Sequence, residues 1–165
     1  MAIHNNIPSM LRESLSEMIL VAKYCIEFHK DTSLWPAPGC YGYPAALLLL
    51  SIADSIGSYI EKGSVENHFE ILNDTDYYNL SLSKDELEIV YDNYRNLLSH
   101  HTVIATNVEL NIGSKDDPVL QKQNSCYRLN LVPFYNKSVV AVNFFLNNPD
   151  ILDNNSTLKN IYKKQ

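Results

Sequence analysis

The sequence predicts an all-α protein: a four-to-five-helix up-and-down bundle with a small β-hairpin inserted before the last main helix. Three observations support this fold class. Apolar residues recur at helical spacing in several long segments, turn residues separate these segments, and only one region alternates with the period of a strand. The 165 residues, 45% hydrophobic and 19% charged, suffice for one domain with a buried core. We therefore treat 1–165 as a single domain and expect a frayed tail from about residue 150.

The first two predicted helices supply most of the core. Apolar residues recur every three or four positions over 10–30, and a stretch containing Pro and Gly at 31–44 then interrupts the pattern. The second helix, over 45–62, is the most apolar segment, and we place it at the centre of the bundle. Asp54 and several serines interrupt its apolar run, so we interpret it as a core helix and not as a membrane span.

The remaining elements follow in order. A short helix is predicted over 64–72, and a capping box at Ser83 and Glu86 starts a further helix. Residues 108–112 and 127–131 alternate between apolar and polar, which predicts an antiparallel hairpin. Helical spacing returns over 132–147.

The helix that begins at Ser83 carries the residues with the clearest chemistry. Arg95 is a permanent cation whose planar fork of donors suits phosphate oxygens, and His100 can transfer a proton near neutral pH. Asn96 lies one helical turn before His100 on the same face, and His101 is a second-rank candidate. This combination could cleave a phosphodiester without a metal or another cofactor.

Arg95, Asn96 and His100 resemble the signature of the HEPN families. In that signature a polar residue directly follows an arginine, and four to six residues separate the arginine from a histidine. The resemblance implies a helical bundle, usually dimeric, that is often a metal-independent endoribonuclease. One similar branch, known from toxin–antitoxin pairs, has a tyrosine two residues after the histidine, where this chain has Thr102. Thr102 argues against a toxin regulated through that tyrosine but not against the arginine–histidine pair. The resemblance implies an RNA or nucleotide ligand, and an antitoxin-type protein partner is a further candidate.

Two further residues are secondary candidates. Asp54, on a mostly apolar helix, needs a polar partner, and it either orients Arg95 or His100 or makes a structural bond between helices. Tyr94 belongs to a group of tyrosines that could stack on bases, although an aromatic stripe at this spacing more often lies in the core.

Other interpretations of the motif remain open. The chain could be a HEPN-like module that binds a nucleotide, an RNA or a protein without catalysis. Arg95 could instead pair with Asp54 or Asp92 for stability alone, with His100 at a helix end. A metal site at His100 and His101 is disfavoured, because adjacent side chains on a helix diverge.

Charge and cysteine content limit the partners and the compartment. The net charge of -6 argues against a surface coated for non-specific nucleic-acid binding, but it allows a small basic cleft. Three widely spaced cysteines argue against a disulfide framework and a zinc site. The N-terminus lacks the pattern of a signal peptide, so we expect a cytoplasmic protein without a membrane partner.

The spacing of Arg95 and His100 also predicts a homodimer. Residues five apart on a straight helix point roughly 140° away from each other. The two side chains therefore converge only if the helix frays near Ser99 or if a second copy supplies the partner. The helices from 45 and 83 also carry more apolar surface than a small bundle readily buries, so we expect a two-fold dimer with the site at its junction.

Overall fold

A central apolar helix organises the structure, a computed structural model that describes residues 6–34, 38–61 and 64–148. The first helix, α1, spans Ile7–Glu27, and the side chain of Asn6 caps it by accepting a hydrogen bond from the backbone N–H of Ser9 at 2.9 Å. The central helix, α2, spans Gly42–Ile60. Both helices match the predicted segments to within three residues at each end. The predicted tail from about residue 150 lies outside the described residues.

Helix α2 is buried along one side of its whole length. Its buried residues are Ala45, Ala46, Leu49, Leu50, Ile52, Ala53, Ile56 and Gly57. By length and composition α2 could span a membrane: an 18-residue window has a mean hydropathy of 1.3, and 44% of that window is buried inside the fold. Core helices of soluble proteins have the same composition, and α2 packs against α1 and the last helix, so the fold is compatible with a soluble protein.

A 3-10 helix at Val65–Leu72 packs tightly against α2. The two helices approach closely at Gly57, where an added Cβ would lie 2.0 Å from the carbonyl oxygen of His68. On its other side, the ring of Phe69 meets the edge of the Tyr91 ring, with 5.6 Å between centroids. The 3-10 helix is thereby held between α2 and the helix that carries the Arg-His motif.

That helix, which we call the motif helix, consists of three consecutive segments. They are α3 at Lys84–Ile89, a π-helical segment at Val90–Asn96 and α4 at Leu97–His101. The predicted capping box is confirmed: Ser83 Oγ accepts from the backbone N–H of Glu86, and the Glu86 carboxylate accepts from the backbone N–H of Ser83 at 2.8 Å. π-helical segments are rare, and they occur frequently at functional sites.

The predicted all-α fold class is wrong, because the chain forms a three-stranded mixed sheet and the fold is mixed α/β. The strands are β1 at Val108–Asn111, β2 at Leu120–Gln123 and β3 at Cys126–Asn130, in the spatial order β1-β3-β2. The two strands that we expected to form a hairpin, β1 and β3, pair in parallel, with Val108 opposite Tyr127. The hairpin is formed by β2 and β3 instead.

The connection explains how β1 and β3 become parallel. Parallel neighbours need a return path, and β2 supplies it by running antiparallel to β3 with Leu120 opposite Leu129. Asn124, with a φ of 55°, lies in the tight turn between β2 and β3. Strand β2 was not predicted, because its sequence lacks an apolar-polar alternation and its last two residues are exposed.

The last helix, α5, spans Leu131–Leu146 and starts directly after β3. The buried side chain of Asn130 holds this junction: its amide donates to the carbonyl oxygen of Pro118 and its oxygen accepts from Asn111, both at 2.7 Å. Gly113, with a φ of 68°, is needed there, since a Cβ would lie 2.9 Å from the Cβ of Asn130. The sheet is therefore firmly joined to the helices.

We predict that Gly57→Ala destabilises the protein by about 1–3 kcal/mol or more, because the new methyl group would overlap the backbone carbonyl of His68. Gly42→Ala, on the same helix, is the matched control, because its Cβ would meet only side-chain carbons at 3.6 Å and beyond. Urea denaturation of both variants measures the difference. A Gly57→Ala protein as stable as wild type would show that the close approach is not required.

Candidate active site

Arg95 faces the interior of the fold. Its Nη2 donates to Oδ2 of Asp54 on α2 at 2.6 Å, and 22% of the Arg95 side chain remains exposed. The expectation that Asp54 has a partner on another helix is confirmed, and that partner is Arg95. The Nε atom of Arg95 is fully buried and makes no hydrogen bond within the described residues. The guanidinium therefore keeps unused hydrogen-bonding capacity beside a single carboxylate.

The other oxygen of the same carboxylate binds His68. Oδ1 of Asp54 lies 2.8 Å from Nδ1 of His68, and only 16% of the His68 side chain and 15% of the Asp54 side chain are exposed. Sequence reasoning missed this contact, because His68 is 14 residues from Asp54 and lies on no recognisable motif. Gly57, inside a helix and one turn after Asp54, was the available signal, since a helical glycine often marks a close approach.

Asp54, His68 and Arg95 form a cluster that we call the Asp54 cluster. An ionised carboxylate can only accept hydrogen bonds, so Nδ1–H of His68 is the donor to Asp54, and in the neutral tautomer that fits this bond the lone pair lies on Nε2. Glu61 lies near the cluster. Its pKa is raised by burial, Asp74 and Glu70 add to the rise, and His68 opposes it. The carboxylate of Asp54 thus holds the Arg95 cation and orients the His68 imidazole.

The second half of the motif is half-buried or exposed. His100 and His101 are exposed in the last turn of α4, and Asn96 is half-buried at the end of the π-helical segment. The helix does not fray at Ser99, whose Oγ donates to the carbonyl oxygen of Arg95 at 2.7 Å. Within the described residues, no hydrogen bond or ion pair joins His100 to Arg95. The helix ends at Thr102, which has a left-handed φ of 58° that is strained for a β-branched residue.

Tyr94 lies in the core and not on a binding surface. It is fully buried, and its hydroxyl makes hydrogen bonds to the carbonyl oxygens of Glu109 and Tyr127 at 2.9 and 2.8 Å. Burial raises the pKa of this hydroxyl, against the effect of its backbone hydrogen bond. Tyr77 and Tyr78 are buried as well. Tyr94 consequently positions the motif helix against β1 and β3.

Other features of the structure lie away from the motif. Within residues 6–34, 38–61 and 64–148, no group of three or more His, Cys, Asp and Glu side chains could hold a metal ion. A cavity of about 580 Å³ opens between the loop around Tyr77, the loop around Asp117 and the start of α5, and Arg95, His68 and His100 do not line it.

No family model, curated protein or solved structure matches this chain. The resemblance to the HEPN families therefore depends on the residues of the motif.

We predict that Asp54→Ala destabilises the protein by about 1–3 kcal/mol or more, because it leaves the donors of Arg95 and His68 half-buried without an acceptor. Asp92→Ala is the matched control, because Asp92 is exposed on the motif helix near Arg95. Thermal and urea unfolding of the two variants provide the measurement. If Asp54→Ala unfolds at the wild-type midpoint, the cluster contributes nothing to the fold.

Proposed function

We propose that the chain is a HEPN-like endoribonuclease that needs no metal and that cleaves RNA to a 2′,3′-cyclic phosphate. The observation that carries the proposal is the fixed position of Arg95. Arg95 lies on a π-helical segment, five residues before the exposed His100 on the same helix. Its guanidinium is held by Asp54, which lies on α2. A cation held in this way is a preorganised partner for a phosphate whose charge increases in the transition state.

Each motif residue has a role in this reaction. Arg95 holds the scissile phosphate and stabilises the charge that develops on it. His100, which is exposed, is the proton-transfer group. Asn96 holds the phosphate or His100, and His101 is a second proton-transfer candidate. DNA resists the reaction because it lacks the attacking 2′-hydroxyl.

A second copy of the chain completes the proposed site. Arg95 binds Asp54 on α2 while His100 is exposed, and the helix continues through Ser99, which supports a site shared between two copies. In a two-fold dimer the same surface meets itself, so His100 of one copy can approach the phosphate held by Arg95 of the other. A shared cleft with two arginines can be positive locally despite the net charge of -6.

The sequence suggested that the helices from 45 and 83 expose apolar surface for this dimer, and the structure does not show such a surface on the motif helix. Among the described residues, large apolar side chains are exposed at Leu20, Val21 and Tyr24 of α1 and at Phe28 directly after it, α2 contributes Tyr43, and the motif helix contributes none. The proposed dimer therefore rests on the positions of Arg95 and His100. We further propose a cytoplasmic protein, and we retain an antitoxin-type protein as a candidate partner.

A non-catalytic HEPN-like module is the second candidate. The ion pair between Arg95 and Asp54 favours it, because a phosphate must compete with a carboxylate that already accepts a hydrogen bond at 2.6 Å. In that case the same surface would bind a nucleotide, an RNA or a protein without cleavage.

The protein is expected to cleave labelled RNA in the presence of EDTA, to leave DNA intact and to produce 2′,3′-cyclic ends. Arg95→Lys keeps the charge but removes the planar fork, and His100→Ala removes the proton-transfer group, so each variant should lose about 100-fold or more in rate. His29→Ala, at an exposed histidine beyond the end of α1, is the control and should cleave at the wild-type rate. Wild-type protein that cuts no RNA, or a His100→Ala variant with full activity, contradicts the assignment.

Activity should also depend on dimerisation. Light scattering and the RNA assay, performed across one dilution series, should show specific activity falling together with the dimer fraction. Equal amounts of inactive Arg95→Lys and His100→Ala subunits, once mixed, should recover part of the activity, because each mixed dimer contains one intact pair. Full specific activity in samples that contain only monomer would refute the shared site.

A further inference from the structure

His68 has the chemical features of a base that the motif itself does not provide. Its Nδ1 is bound to Asp54. Its Nε2 makes no hydrogen bond within the described residues, and it is not one of the atoms there that are both fully buried and unpaired. The ring keeps 16% of its side-chain area exposed. The nitrogen that is not bound to Asp54 is thus left without a protein partner among the described residues.

The environment of His68 resembles that of a histidine prepared for proton transfer. A carboxylate bound to Nδ1–H selects one tautomer, fixes the ring and stabilises the imidazolium that forms when Nε2 takes a proton. Asp54 supplies that carboxylate, and Gly57 on the same helix permits the backbone of His68 to approach closely enough. The geometry therefore makes Nε2 a positioned base and not merely a polar atom of the core.

Arg95 shares the carboxylate with His68, which puts both side chains at one place in a single chain. Nη2 of Arg95 binds one carboxylate oxygen and Nδ1 of His68 binds the other. The guanidinium and the imidazole are therefore both anchored to one carboxylate. His100, by contrast, is exposed in the last turn of α4.

We infer that His68 is a catalytic residue of the Arg95 site and acts as the base on an RNA 2′-hydroxyl. This inference rests on the proposed function. It assigns the base that takes the proton of the 2′-hydroxyl, a role for which Arg95 is unsuited and which the proposed function does not assign separately from the acid. Nε2 takes the proton of the 2′-hydroxyl, the 2′-oxygen forms a bond to phosphorus, and the bond from phosphorus to the 5′-oxygen breaks. The 5′-oxygen leaves with a proton from His100 of the second copy in the proposed dimer, so protons and electron pairs balance.

The test compares His68→Asn with His29→Asn in the full-length protein. The side-chain amide of asparagine can donate to Asp54 from about the position of Nδ1, so His68→Asn should stay folded, but it cannot accept and release a proton as imidazole does. Cleavage of labelled RNA in EDTA, measured as kcat and KM between pH 5 and pH 9, should show a loss in kcat of about 100-fold or more for His68→Asn. The limb of the pH profile that reports the base should be lost as well, while His29→Asn should retain both the rate and the profile.

The possible outcomes separate the two assignments. If wild type cleaves and His68→Asn keeps both its kcat and its pH profile, His68 is not the base and the proposed function stands. If His68→Asn changes KM alone, His68 contributes to binding and the assignment as base is overturned. If wild type cleaves no RNA, the proposed function fails and the catalytic role of His68 fails with it.

Discussion

The carboxylate of Asp54 is the constraint on which the arrangement of the site depends. It joins α2 to His68, 14 residues later, and to Arg95, 41 residues later, so three separate segments meet at one side chain. A carboxylate that is only 15% exposed needs such donors, because burial removes most of the water that would otherwise solvate its charge. The same bonds that satisfy Asp54 also fix the orientation of the two groups most suited to phosphate chemistry.

The surrounding fold supports this arrangement from two sides. On one side, Gly57 lets the 3-10 helix lie against α2, and Phe69 and Tyr91 connect that helix to the motif helix. On the other side, buried Tyr94 connects the π-helical segment to β1 and β3. The small sheet is therefore part of what positions Arg95, although it lies outside the helical bundle that the sequence suggested.

The parts of the fold that could be predicted depend on local patterns. Apolar periodicity located α1 and α2, the capping box located the start of the motif helix, and one acidic residue on an apolar helix predicted the pairing of Asp54. Three features could not be predicted because they depend on distant contacts. Strand β2 is defined by pairing with β3, the parallel pairing of β1 and β3 has no local signal, and the contact of His68 depends on how two segments pack. The sequence therefore predicted the site residues of the motif and their acidic partner Asp54, but not His68.

The tautomer of His68 tests the central claim most directly. In long-range ¹H–¹⁵N spectra of the imidazole rings near pH 8, the account predicts that neutral His68 carries its proton on Nδ1, bound to Asp54, and that Nε2 is unprotonated. Most neutral histidines that lack such an acceptor should not share this pattern, and exposed His29 and His101 provide the comparison within the same spectrum. A neutral His68 that carries its proton on Nε2 would contradict the account, because Asp54 would then not hold the ring and Nε2 would have no lone pair to accept a proton.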